Sequence, residues 1–166
     1  LNGLSKSYLA PGWRIGWGVV SGDQAVLAPL VEAMNKILRA RICANSPLQY
    51  AVKPALEGPQ DHLPVVLAKL ERRAELTHRM LNAIPGISCG RPRAAFYAFP
   101  RVQCDDDTRF VQELLKATGV VVVNGSGFRQ APGTQHFRVV YLPPEDVLEK
   151  AYRAIGEFMA SYRPRA

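Results

Sequence analysis

The chain has 166 residues, 48% of them hydrophobic and 21% charged, values that suit one folded domain or a domain plus a piece of another. Its net charge of +7 invites a nucleic-acid partner, but the basic residues are scattered and the densest pair, Arg72-Arg73, sits between Glu71 and Glu75, so a specific nucleic-acid function is not expected. No stretch is long and apolar enough to span a membrane, and the three widely spaced cysteines (Cys43, Cys89, Cys104) argue against a disulfide framework or a zinc site and for a reducing cytoplasm.

The first residues already carry chemical content: Asn2-Gly3-Leu4-Ser5-Lys6-Ser7-Tyr8-Leu9-Ala10-Pro11-Gly12-Trp13-Arg14-Ile15-Gly16-Trp17. Lys6 lies in a Gly/Ser context, and Arg14 follows in a Pro-Gly-aromatic turn. A lysine amine attacks carbonyl carbons, and a guanidinium fork donates two parallel hydrogen bonds to phosphate or carboxylate. Residues 15–20 then read as a buried strand, bounded by Pro11-Gly12 and Ser21-Gly22-Asp23.

Val26, Leu27, Leu30, Val31, Met34, Ile37, Leu38 and Ile42 recur at helical spacing. They predict a core-facing amphipathic helix whose regular part starts at Pro29. Arg39 and Arg41 fall near its end, where cations suit the helix dipole. Ser46-Pro47 signals the next helix start, an N-cap followed by proline, with the helix running to about Glu57 and ended by Gly58-Pro59. Pro54 inside it predicts a kink or break. Asp61 opens the longest helical pattern, through Val66, Leu67, Leu70, Ala74, Leu76, Leu81 and Ile84, and Pro85-Gly86 stops it.

Beyond Gly86 the period shortens. Ile87-Ser88-Cys89 and residues 94–99 read as short strands joined across Gly90-Arg91-Pro92-Arg93, the second with core aromatics. Asp105-Asp106-Asp107 precede Phe110, Val111, Leu114 and Leu115, so they read as the N-cap of a helix that Gly119 closes, not as a metal site. Residues 120–123 form a predicted buried strand. The following Asn124-Gly125-Ser126-Gly127-Phe128 is glycine-rich, but it lacks the Gly-Lys-Ser/Thr and the helix of a phosphate loop. In His136-Phe137-Arg138-Val139-Val140-Tyr141 alternation puts Arg138 on the face opposite Phe137 and Val139. An arginine in an apolar strand meets either an anionic ligand or a structural carboxylate. His136 reads as a partly exposed neighbour and not a base. Pro143-Pro144-Glu145-Asp146 starts the last helix, with Val147, Leu148, Ala151, Tyr152, Ile155, Phe158 and Met159 inward, and residues 162–166 are expected to fray.

The run around Lys6 and Arg14 resembles the pyridoxal-phosphate attachment signature of class I/II aminotransferases. Ala95-Phe96-Tyr97-Ala98-Phe99-Pro100 and Phe137-Arg138-Val139 are similar to two strands of that family's small domain. The chain departs from the pattern at Gly3, where many relatives have a phosphate-binding Ser, at Ala95, where Gly is common, and at Asn124, where Pro is usual.

The resemblance implies an α/β fold, the C-terminal part of a fold-type I transferase. Residues 1–60 would be the tail of the large cofactor domain and residues 61–166 a complete small domain. It implies pyridoxal 5'-phosphate as cofactor, Lys6 as the catalytic Schiff-base lysine, Arg14 with Ser5 as cofactor-binding groups, and Arg138 as the ligand of the substrate α-carboxylate. The implied activity is transamination between an alanine- or aspartate-like amino acid and a 2-oxo acid, in a full-length homodimer, the fragment alone being inactive. Some relatives place an arginine near Arg41 for a side-chain carboxylate. Three rival readings share the scaffold: an effector-sensing domain of a transcription regulator, another pyridoxal-phosphate chemistry such as C–S lysis, and a binding module with a decayed site.

Overall fold

The computed structural model describes residues 1–164 and divides the chain into two units, Leu1–Leu63 and Pro64–Ala166. In the first unit, β1 (Asn2–Gly3) pairs antiparallel with β2 (Gly16–Trp17), Asn2 opposite Trp17 and Gly3 opposite Gly16. The pairing is tight enough to require glycine on both sides. A Cβ on Gly3 would stand 2.8 Å from the Ile15 carbonyl oxygen, and one on Gly16 would stand 2.8 Å from that of Asn2. The hairpin closes a loop over residues 4–15, whose two ends are also joined by the Leu4 N–H donating to the Ile15 carbonyl at 3.1 Å. Leu4 and Ile15 are the buried hydrophobics of this unit.

The buried strand expected over residues 15–20 is only two residues long. Val19 and Val20 are exposed, because among the described residues β1 alone pairs with it and the ladder ends there. The helix α2 (Gln24–Arg39) begins five residues before Pro29. Asp23 caps it by accepting from the Ala25 N–H at 2.9 Å, and the helix tolerates the one missing donor at Pro29. Its apolar stripe is not core in this structure. No residue of α2 is buried, and Val26, Leu30, Ile37 and Leu38 are all more than half exposed, since an amphipathic face is buried only where another surface meets it.

The next predicted helix is two short ones, α3 (Ser46–Gln49) and α4 (Val52–Glu57), with Asn45 at the N-cap position and not Ser46. The break lies at Tyr50 and Ala51, just upstream of Pro54. A proline ring crowds the carbonyl four residues back and offers it no N–H, and for Pro54 that carbonyl is Tyr50's.

The second unit holds the main core. The long α5 (His62–Asn82) continues into it and contributes buried Ala74, Leu76, Thr77 and Leu81. Here β3 (Ile87–Ser88) pairs with β5 (Arg101–Val102), while β4 (Tyr97–Ala98) pairs with a different strand, so the two segments expected to be joined belong to different sheets. α6 (Asp107–Thr118) starts at Asp106, which accepts from the Arg109 N–H at 2.7 Å, and ends at Gly119 with a left-handed φ of +73°. Capping by the aspartate run holds, but Asp107 turns inward and is buried.

β6 (Val123–Asn124) and β7 (Phe137–Val140) complete a three-stranded antiparallel sheet in the order β4-β7-β6. Val122 is buried while Val121 is exposed, so residues 120–123 are not a continuous buried strand. α7 (Glu145–Ser161) lays Leu148, Tyr152 and Ile155 against the core, with Val147 turned outward. Phe110, fully buried, sits among Phe137, Phe158 and Tyr162 at ring distances of 5.5, 5.8 and 5.4 Å. Each such buried aromatic contributes about 1.5–3 kcal/mol relative to exposure. Tyr162 is therefore docked and not frayed. The rest of the expected fraying falls partly on Arg165 and Ala166, which lie outside the described residues. Among the described residues no helix is long and apolar enough to cross a membrane.

Candidate active site

The closed loop over residues 4–15 brings Ser5, Lys6 and Arg14 together on one short piece of chain. Ser5 and Lys6 lie on α1 (Leu4–Ser7), a single turn that starts where β1 ends. Pro11–Trp13 form a 3-10 turn, and Arg14 follows in a left-handed conformation with φ 56° and ψ 38°. That backbone is unusual for a residue with a side chain and is tolerated where the surrounding hydrogen bonds fix it. The turn is fixed by the Trp13 N–H donating to Ala10, the Ala10 N–H to Leu4 and the Leu9 N–H to Lys6. Lys6 and Arg14 are exposed and Ser5 is half-buried. Arg14 donates from Nη1 to the Pro11 carbonyl at 2.8 Å, and no ion pair neutralises it among the described residues. Residues 1–22 contain two cationic side chains and no carboxylate, so the loop presents a positive field suited to an anion.

His62 braces this loop from the start of α5. Its Nε2 lies 3.3 Å from the Ser7 carbonyl, and its ring packs on Tyr8 at 5.6 Å. No motif in the sequence pointed to it, because the contact joins residues 55 positions apart.

Arg138 belongs to the second unit. It lies on β7 opposite Val123 of β6, on the face away from buried Phe137 and Val139, as the alternation requires. Its Nε is buried with no hydrogen-bond partner, and among the described residues no carboxylate pairs with it, which leaves the structural ion-pair explanation without a partner. An unpaired buried donor on a charged group costs about 1–3 kcal/mol or more, which an anion would offset. Two rings face the guanidinium. Its carbon lies 4.7 Å from the centroid of Tyr97 and 4.3 Å from that of Phe128. Tyr97, expected in the core, is half-buried and turned toward this arginine.

His136 stacks flat on Phe99, 4.8 Å between centroids, within hydrogen-bond reach of Thr134 and Gln130. Burial, and then the nearby Arg101 cation, hold it below the ordinary imidazole range, with Asp107 pulling the other way. A groove of about 460 Å³ is lined by Leu67, Leu70, Ala74, Arg91, Ala95 and Tyr141. It contains none of Ser5, Lys6, Arg14 or Arg138.

Residues 1–155 match the family model described as aminotransferase class I and II. An alanine aminotransferase of Mycobacterium tuberculosis is 37% identical over 98% of this chain and 39% of its own length. The glutamate-pyruvate aminotransferase of Escherichia coli is 33% identical over 97% of this chain and 41% of its own. The solved alanine aminotransferase from Pyrococcus furiosus superposes with a TM-score of 0.91 at 40% identity, over 97% of this chain and 42% of that one. The chain thus spans about two-fifths of the length of these relatives. Members of the matched family use pyridoxal 5'-phosphate. With its mixed helices and sheets superposing on those of solved aminotransferases, this chain belongs to the class I and II aminotransferases.

Proposed function

We propose that the whole protein transfers an amino group between an alanine- or aspartate-like amino acid and a 2-oxo acid, using pyridoxal 5'-phosphate. The observation that carries this reading is the hairpin-closed loop that bears an amine, a hydroxyl and a guanidinium with no carboxylate among them. The donor set fits the cofactor's two functional ends. Lys6 Nζ would hold the aldehyde carbon, and Arg14 with Ser5 would hold the phosphate. When bound, the cofactor supplies the electron sink for the pair left at the substrate α-carbon.

Two residues of this chain act on the substrate itself in this reading. Arg138 binds the α-carboxylate through its N–H edge and so fixes which way the α-proton points. Lys6 Nζ, as a free amine, would take that proton as general base. The names of the relatives support alanine or glutamate as donors. In the same reading the first unit belongs to the large cofactor domain, the second is the small domain, and the complete protein is a cytoplasmic homodimer. Residues 1–166 alone do not turn over, since the chain covers about two-fifths of each relative.

The test is absorbance spectroscopy of the full-length protein loaded with pyridoxal 5'-phosphate. Addition of L-alanine, L-aspartate or L-glutamate is expected to convert the cofactor band to that of the amine form, and pyruvate or 2-oxoglutarate to restore it. A loaded protein whose spectrum none of them changes would contradict the reading and favour a sensor.

A further inference from the structure

We propose that Tyr97 and Phe128 are positioning residues for Arg138. By occupying the faces of its guanidinium they hold its N–H edge ready for a carboxylate and so set the affinity for the amino-acid substrate. This rests on the reading of Arg138 as the carboxylate ligand.

The sheet brings the two rings from different sides of β7. Tyr97 stands opposite Val140 in the β4–β7 pairing, and opposite residues share a face. Val140 and Arg138 are two apart on β7, so Tyr97 and Arg138 are diagonal neighbours on that face. Phe128 comes from beyond the other neighbouring strand, at the end of the 3-10 turn Gly125–Phe128 that follows β6. An arginine side chain free to rotate would lose about 2 kcal/mol of conformational entropy on binding a ligand. Among the described residues no ion pair orders Arg138 beforehand, and the two rings are ordering contacts. Ring faces attract the flat guanidinium through its π-cloud, whereas a carboxylate takes the in-plane N–H fork. The two interactions use different parts of the group and do not compete.

Phe128 is itself held from behind. The buried carboxylate of Asp107 accepts from the Ser126 N–H at 2.7 Å and from Gln130 Nε2 at 2.8 Å, tying down the loop on both sides of the ring. The Gly125 N–H donates to the His136 carbonyl at 2.8 Å, and a Cβ on Gly125 would stand 2.7 Å from that oxygen. Phe99 meets Phe128 edge-on at 6.0 Å while stacking on His136. The aspartate run that the sequence offers as a helix cap thus also fixes the loop that carries Phe128.

The experiment uses the full-length protein loaded with cofactor and L-alanine as the probe. Phe128→Leu and Tyr97→Leu are each expected to raise KM about five- to tenfold, with kcat within about twofold of the parent. Phe128→Tyr and Tyr97→Phe, which keep a ring, are expected to restore KM. In an Arg138→Lys background, Phe128→Leu is expected to add nothing further, because an ammonium does not stack. Independently of turnover, the Arg138 Nε–H resonance in ¹⁵N-labelled protein is expected upfield under the two rings, and less so in each Leu variant. An Arg138→Lys variant with unchanged KM would remove the underlying reading. If Arg138→Lys raises KM while the Leu variants do not, if the effects add in full, or if the resonance sits at its ordinary position, the positioning role is wrong.

Discussion

The hydroxyl of Tyr141 donates to the carbonyl of Ala95 at 3.3 Å, and Ala95 holds a left-handed φ of +57°. The fully buried tyrosine thereby pins the turn into β4 in a backbone conformation that favours glycine. Left-handed backbone costs a residue with a side chain about 1–2 kcal/mol, part of which glycine forfeits through its freer unfolded chain. Ala95→Gly is therefore expected to stabilise the protein by up to about 1 kcal/mol, seen as a higher Tm in thermal unfolding. A lower Tm would mean that the methyl group packs usefully.

At Gly3 the constraint is contact, not φ. Installing serine puts a Cβ 2.8 Å from the Ile15 carbonyl oxygen and 3.1 Å from Gly16 Cα, both backbone atoms that cannot turn away. Gly3→Ser is expected to cost about 1–3 kcal/mol of stability and to weaken retention of pyridoxal 5'-phosphate by the full-length protein. Unchanged unfolding and tighter retention would show that the hairpin opens and that serine joins the anion site.

Thr77 and Tyr152 form a buried hydrogen bond of 2.8 Å between α5 and α7, and burial pushes the Tyr152 phenol up to about 12. Thr77→Val leaves that hydroxyl buried with no partner and is expected to cost about 1–3 kcal/mol in urea denaturation. Thr77→Val with Tyr152→Phe removes both groups and is expected to cost less than the two single changes summed. Strict additivity would mean that the hydroxyls do not interact.

These residues also mark where the sequence was legible. Alternation placed Arg138 opposite Phe137 and Val139 because a strand's period is fixed by backbone geometry, and that pattern survives in the structure. The aspartate run and Gly119 announced both ends of α6 for the same local reason. Long-range choices were not legible. Nothing local says that β3 pairs with β5 and β4 with β7, nor that Tyr97 turns to Arg138 and not to the core. Helical periodicity announced α2 as amphipathic, but period alone does not say whether the apolar face is covered. Pro54 predicts a kink or a break in its helix, and the position of the break, between Gln49 and Val52, follows from the ring's clash with the preceding turn.

His136 makes a signed prediction. Its unfolded imidazole titrates near about 6.5, and burial beside Arg101 lowers the folded value. The unfolded state then binds more protons in the window between the two values. The His136 contribution is complete above the unfolded value and is lost as pH falls through the folded one. His136→Gln is expected to flatten part of the fall in Tm below about pH 6.5. A steeper fall in the variant would contradict the lowered value.

Lys6 is proposed to hold the cofactor. Full-length protein incubated with pyridoxal 5'-phosphate and reduced with borohydride, then digested and analysed by mass spectrometry, tests it directly. The expected result is a phosphopyridoxyl group on Lys6 Nζ, lost in Lys6→Arg and weakened when Arg14 is changed to Ala. No adduct, or one on other lysines with Lys6 unmodified, would contradict it.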